Sequence, residues 1–235
     1  MPILKKYYNL TKPGIVYGNL LAATAGFAIG SYYGINWSLL LLTLAGLGCV
    51  IASACVFNNY LDRDIDAKMT RTKERALVKN KISAESALLF AFMLGFLGSI
   101  LLLFFTTVPA FAAAMLGFVV YVSLYTPLKR KNSVALYVGA VAGATPPVVG
   151  YLSASGILDV TAVILFVLMF VWQLPHFIAI AVFRYDEYTA AGIPLVVKRS
   201  YTDKTKRFAK KLFLASIITL PVACVGAVLW RLLFT

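Results

Sequence analysis

Asn58 to Arg75 reads N-N-Y-L-D-R-D-I-D-A-K-M-T-R-T-K-E-R and follows without a break on an apolar run, Trp37 to Phe57, long enough to cross a bilayer. Three of the nine acidic residues of the chain, Asp62, Asp64 and Asp66, fall within five consecutive positions of it. If the preceding helix continues, Asn58, Asp62 and Asp66 recur every four residues and stack on one face, whereas Asp64 points elsewhere, to solvent or a salt bridge. Two like charges on neighbouring turns repel and favour a cation between them. Oxygen-only ligands suit Mg²⁺, which keeps several waters and shares substrate phosphates. Lys68, Arg71, Lys73 and Arg75 follow at once and supply positive charge for an anion. The stretch reads as a metal–diphosphate site at the mouth of a membrane bundle. A merely polar loop at a helix end is the plainer alternative, but it requires no such order of amide, carboxylates and arginines.

The rest of the chain supplies that bundle. With 61% hydrophobic residues and a mean hydropathy of +0.85 over 235 residues, the sequence is that of an integral membrane protein forming one domain. Apolar runs predict an all-α bundle of seven spans, near 14–32, 37–60, 84–106, 109–126, 134–152, 160–183 and 212–233. Of the 22 Lys and Arg, three precede the first span, seven lie between the second and third, three between the fourth and fifth and eight between the sixth and seventh. The intervening connections carry none. This alternation predicts a cytoplasmic N-terminus, with all the basic loops on the same side. It also turns the net charge of +13 away from nucleic acid and towards anionic lipid and anionic substrate. Cys49, Cys55 and Cys224 all fall in spans, without metal-ligand spacing, and read as packing residues. The first span is too long for a cleaved signal peptide, and a bacterial cytoplasmic membrane is the expected location.

Beyond these physical readings, N-x-x-x-D-x-x-x-D at the end of the second helix resembles the first aspartate-rich motif of the UbiA-type intramembrane prenyltransferases. The fuller wording C-V-F-N-N-Y-L-D-R-D-I-D, from Cys55, resembles the heme O synthase (protoheme IX farnesyltransferase) branch. So do T-K-P-G-I from Thr11, Y-T-P-L-K-R from Tyr125 and A-G-A-T-P-P-V-V-G-Y from Ala142. F-R-Y-D-E-Y-T-A-A-G-I-P, from Phe183, resembles the second acidic motif, with Glu187 standing where that branch usually has aspartate. The resemblance implies transfer of a farnesyl group from farnesyl diphosphate to a vinyl group of protoheme IX (heme B), which is a substrate rather than a cofactor. It implies Mg²⁺ on Asn58, Asp62 and Asp66 and on Asp186 or Glu187. Arg71, Arg75, Lys129 and Arg130 would face the diphosphate, and Tyr125, Arg184 and Tyr188 would touch substrate. Tyr60, Phe118, Tyr121 and Tyr125 are placed to line an apolar chamber that shields an allylic cation from water.

His176, the only histidine, sits in W-Q-L-P-H-F of the sixth span and reads as a hydrogen-bonded packing residue, with contact to heme as the alternative. Pro146 and Pro147 break the ladder of the fifth span, which membrane helices tolerate where freed carbonyls face protein. The resemblance is close from Met1 to about Lys198 and weaker over 199–235. The family fold has nine helices where seven are read here, so the expected chamber is short of wall, with a homo-oligomer as one way to close it. Heme A synthase or terminal oxidase assembly factors are the other implied partners. Two further functions share parts of the pattern. One is a UbiA-type enzyme acting on a quinone precursor; the other is a non-enzymatic membrane subunit or cation channel, which has no need of two acidic motifs.

Overall fold

The computed structural model describes residues 2–234, and among them every regular element is helical. Seven helices are long and apolar enough to cross a membrane: Pro13–Gly30, Trp37–Leu61, Ala84–Phe105, Val108–Leu128, Ala135–Ser155, Val160–Phe183 and Asp203–Leu233. They are called the first to seventh spans below. A short amphipathic helix, Ile3–Leu10, precedes them.

Local chemistry sets the span ends. Asn36 accepts from Leu39 N at 3.0 Å, Ser83 from Ser86 N at 3.1 Å, Thr107 from Ala110 N at 3.3 Å and Asp159 from Thr161 N at 2.9 Å. Each satisfies an amide that the first helical turn leaves bare. Pro13 opens the first span, where its missing N–H costs nothing. The seventh span starts at Asp203, nine residues before the apolar run at Leu212. Its charged first turns need no bilayer to be helical.

The fifth span breaks at Ala144 into Ala135–Gly143 and Thr145–Ser155. Pro146 has no N–H for the Ala142 carbonyl, and the Thr145 hydroxyl donates to that carbonyl at 2.9 Å instead. This break is buried within the protein, where the sequence predicts that it is tolerated.

Small residues draw the spans together, since lipid offers no hydrophobic drive between helices. A Cβ on Gly26 would stand 1.9 Å from the Pro147 carbonyl oxygen, and one on Gly150 1.9 Å from that of Ala23. The first and fifth spans therefore meet backbone to backbone. The central core joins Ala23, Leu47, Leu102, Ala114, Val149 and Tyr151, whereas Phe92, Phe96 and Phe104 point outward at 63–73% exposure. These three phenylalanines stand on the surface that a bilayer would cover.

The seventh span packs on both the sixth and the first. Cys224 sits against Ala22 and Ala25. Polar ties fix it along its length: Lys206 to Asp186 near its start, Ser216 to His176 at 2.7 Å, and Arg231 to the Ser31 carbonyl near its end.

Candidate active site

The helical face predicted from the sequence exists. The backbone turns at Asp62, but its N–H still reaches the Asn58 carbonyl at 2.9 Å, and that of Asp66 reaches Asp62 at 2.8 Å. Asn58, Asp62 and Asp66 each keep only 2% of their surface. Two carboxylates that deep would be costly alone, and each has a cation from a different part of the chain. Lys129, after the fourth span, sits on Asp62, and Arg75, in the loop after the second, sits on Asp66. Arg130 forks onto Asp64 at 2.7 and 2.8 Å and lies 3.7 Å from Asp62. That fork holds the Asp64 carboxyl below the usual range, so of the two roles expected for Asp64 it takes the salt bridge rather than free solvation.

Three contributors were not singled out by the sequence. Lys12 donates to Asn58 Oδ1 from a left-handed backbone, φ 51°, at the entry to the first span. Such a conformation is uncommon for a residue with a side chain and is retained where surroundings demand it. Burial pushes the Lys12 ammonium down to about 8, with Arg75 and Lys129 pressing the same way and Asp62 opposing. Thr126, fully buried, donates to the Tyr121 carbonyl at 2.8 Å and accepts from Asn58 Nδ2 at 3.0 Å. The Asn58 amide is thereby fixed with its oxygen towards Lys12. Thr72 donates to the Asp66 carbonyl at 2.9 Å and holds the loop after the stripe. Only the neighbouring K-P-G and Y-T-P-L-K-R wordings could have flagged Lys12 and Thr126.

Thr126 reaches Asn58 because the fourth span widens into a π-helix over Val120–Tyr125, a distortion common at functional sites. There the rings of Tyr121 and Tyr125 stack at 5.2 Å, and the Lys129 ammonium lies 5.3 Å from the Tyr125 centroid. Tyr121 and Tyr125 thus stand at the site. The other two aromatics predicted to line it do not join them. Tyr60 packs under the N-terminal helix with Arg63 over its ring at 4.3 Å, and Phe118 meets Phe57 edge-on.

The second acidic stretch approaches from the sixth span. Its two carboxylates, next to each other on the helix Tyr185–Ala190, point different ways. Glu187 accepts the Arg71 amide at 3.0 Å and the Arg184 guanidinium at 3.0 Å, which ties it to the first motif's loop. Asp186 pairs with Lys206 and accepts from Ser200 at 3.1 Å; the Lys206 hydrogen bond holds its carboxyl low. Between the two candidates, the fold brings Glu187 to the first motif. Burial raises the Tyr188 phenol, and Arg71, Lys129 and Arg184 lie near enough to oppose that rise. His176 stands apart, against Trp172, Phe177 and Phe213. Its Nδ1 meets Ser216 Oγ, which itself donates to the Phe213 carbonyl at 2.6 Å, so the imidazole is the donor between the two spans.

Among the described residues no three His, Cys, Asp or Glu side chains converge, because cations stand between the carboxylates. The donor set nonetheless fits a hard divalent ion. It is all oxygen, and Asp62 Oδ1 is buried without a hydrogen-bond partner while facing the same face as Asn58 and Asp66. The arrangement can exchange its internal cations for a metal–anion pair, the freed Lys129, Arg75 and Lys12 then meeting the anion.

Comparison with known proteins gives the family and the fold of the chain. Residues 19–235 match the model of the UbiA prenyltransferase family, so the match runs past Lys198 and includes the last span. A protein named protoheme IX farnesyltransferase from Marinomonas sp. (strain MWYL1) is 47% identical over 206 residues, covering 87% of this chain and 70% of the relative. One of the same name from Cronobacter sakazakii (strain ATCC BAA-894) is 46% identical, over 83% of this chain and 66% of the relative. A solved structure of a digeranylgeranylglyceryl phosphate synthase superposes with a TM-score of 0.71 at 19% identity, covering 99% of this chain and 88% of that one. A UbiA homolog from Archaeoglobus fulgidus bound to GPP and Mg²⁺ gives a TM-score of 0.68 at 17% identity, over 98% and 86%. At those identities the structures speak for the fold.

Proposed function

The chain belongs to the UbiA prenyltransferase family, and on that premise we propose that it transfers the farnesyl group of farnesyl diphosphate to a vinyl group of protoheme IX. The products are heme O and diphosphate, with water completing the new side chain as a hydroxyl. The observation that carries the reading is the buried Asn58–Asp62–Asp66 face, closed by Lys129 and Arg75 from two separate loops. Identity of 43–47% to relatives named protoheme IX farnesyltransferase supports the choice of donor and acceptor over a quinone precursor.

In this reading Asn58, Asp62 and Asp66, with Glu187 across the mouth, hold Mg²⁺, which when bound supplies positive charge to the diphosphate leaving group. Arg71, Arg75, Lys129 and Arg130 take the remaining phosphate charge, and Lys12 joins them once released from Asn58. Neutralising a leaving group by preorganised charge lowers the barrier to ionisation without moving a proton. The stacked Tyr121 and Tyr125 rings beside Lys129 present π-faces to the allylic cation. The apolar bundle keeps water from it until the acceptor has reacted. Tyr188 and Arg184 border the same mouth and orient the diphosphate end.

The setting that fits is a bacterial cytoplasmic membrane with the basic loops inside, where farnesyl diphosphate and heme arrive. Heme A synthase and terminal oxidase assembly factors are the partners that such a product calls for. The reading is tested by incubating purified protein in detergent with farnesyl diphosphate, heme B and Mg²⁺, then measuring the mass of the heme. A farnesylated, hydrated heme is expected, and a chelator should abolish it. Prenylation of a quinone precursor with heme left unchanged would move the protein to another branch of the family.

A further inference from the structure

A cavity of about 560 Å³ opens between the N-terminal helix and the loop after the second span. Lys6, Arg71, Arg75 and Lys81 line it, together with Glu74 and Asn59. Glu74 does little to balance the four cations, because it pairs with Lys79 at 3.2 Å. Arg75 is engaged by Asp66, but among the described residues Lys6, Arg71 and Lys81 form no ion pair. A basic loop needs no ligand to explain it, since topology alone favours such residues. Asn59 adds what a topology signal does not.

Asn59 is 3% exposed and lines the same cavity. Its Nδ2 donates to the Leu10 carbonyl at 2.8 Å, which fixes the amide orientation. Its Oδ1 is then buried, with no hydrogen-bond partner among the described residues. Buried acceptors are rarely left so, because each has lost its water without gaining a donor. The cavity therefore asks for a ligand that brings negative charge and a hydrogen-bond donor in one small group. A carboxylate at neutral pH brings charge alone, which excludes a heme propionate as the best fit. A phosphate that keeps a proton, or a phosphate with a hydroxyl beside it, brings both.

We propose that this cavity is a phosphate-binding site, separated by Arg75 from the Asp62–Asp66 face. Lys6 and Lys81 hold the anionic oxygens, Arg71 lies on the border shared with the diphosphate of the prenyl-transfer reading, and Asn59 Oδ1 accepts from the ligand's O–H. Free hydrogen phosphate and a phosphatidylglycerol-type headgroup share this chemistry. Arg75 lines this cavity and also pairs with Asp66, so an anion here competes with Asp66 for its guanidinium. The proposal goes beyond the prenyl-transfer reading and does not depend on which acceptor that reaction uses.

The test uses the full-length protein in neutral detergent, without Mg²⁺ or prenyl diphosphate. Inorganic phosphate is titrated near pH 7 by calorimetry against sulfate, an anion of the same shape that carries no proton there. Phosphate should bind about tenfold more tightly than sulfate, the effect of one hydrogen bond to an otherwise unmet acceptor. Asn59→Leu should erase that preference, and Lys6→Gln/Lys81→Gln, which changes only surface lysines and preserves the fold, should weaken phosphate binding about tenfold or more. The same proteins in nanodiscs separate the two sources. Phosphatidylglycerol retained over phosphatidylcholine by the unmutated protein, and lost by the double variant, assigns the site to a headgroup. Phosphate binding that persists in phosphatidylglycerol nanodiscs assigns it to the free anion. Equal affinity for phosphate and sulfate, or phosphate binding unchanged in Lys6→Gln/Lys81→Gln, overturns the proposal.

Discussion

Lys129 closes on Asp62 across 67 residues of sequence, joining the end of the fourth span to the end of the second. The pair is nearly dry, with side-chain exposures of 17% and 3%. An ammonium held on a carboxylate that deep stabilises the ligand-free bundle and occupies the place where a substrate complex would bring its own positive charge. On the proposed reading the site trades this internal cation for the substrate's.

That trade has a stability signature. Lys129→Met should destabilise the protein by about 3 kcal/mol, the low end for stranding a buried charge, because Arg130 remains 3.7 Å from Asp62. Added Mg²⁺ should recover part of the loss in the variant and do less for the unmutated protein. Thermal unfolding in detergent, with and without Mg²⁺, measures both. An equal Mg²⁺ response in the two proteins would argue against exchange at Asp62.

On the proposed reading Thr126 acts on the reaction through Asn58, whose amide it holds. Thr126→Val removes the oxygen that accepts from Asn58 Nδ2 and frees the amide to turn. Outer partners of ligand residues are typically worth about ten- to hundredfold in activity or metal affinity. The expected loss is therefore in kcat and Mg²⁺ affinity, with Thr126→Ser restoring both. Failure of serine to rescue would show that the methyl group's packing matters instead.

Glu187 and Asp186 should separate cleanly. Glu187→Gln weakens the link to Arg184 and is expected to cut turnover about a hundredfold if Glu187 faces the reacting diphosphate. Asp186→Asn loosens an exposed pair with Lys206 and should cost less than about threefold. The ratio of the two turnover numbers checks the assignment, and the reverse order would exchange the roles.

His176→Ala should leave farnesyl diphosphate binding intact and shift the heme absorption spectrum little. It removes one hydrogen bond between the sixth and seventh spans, about 1 kcal/mol, along with stacking on Trp172. A lost or displaced Soret band in the variant would instead place the imidazole on heme iron.

These residues also show where sequence is transparent and where it is not. Asn58, Asp62 and Asp66 were legible because a helix repeats near every four residues and the preceding apolar run fixes the helix. The proline break in the fifth span was legible for a similarly local reason, since Pro146 and Pro147 carry no N–H. Lys12 and Thr126 were not, because each earns its role from a neighbour far along the chain, and one through a π-helix that no periodicity announces. Asp186 and Glu187 are adjacent, so spacing alone could not rank them. Lys206 decides it, by drawing Asp186 outward from a helix whose charged start hydropathy reads as loop.

The most direct measurement is heme prenylation by Asp62→Asn and Asp66→Asn, made on protein whose membrane insertion is confirmed by the same purification. Both changes keep shape and hydrogen bonding and remove charge from one helical face. Each should lower Mg²⁺-dependent formation of farnesylated heme by about a thousandfold, the scale of losing one preorganised electrostatic partner in a dry site. Near-normal turnover in both variants would contradict the account, since the face they share would then not be where the reaction is held.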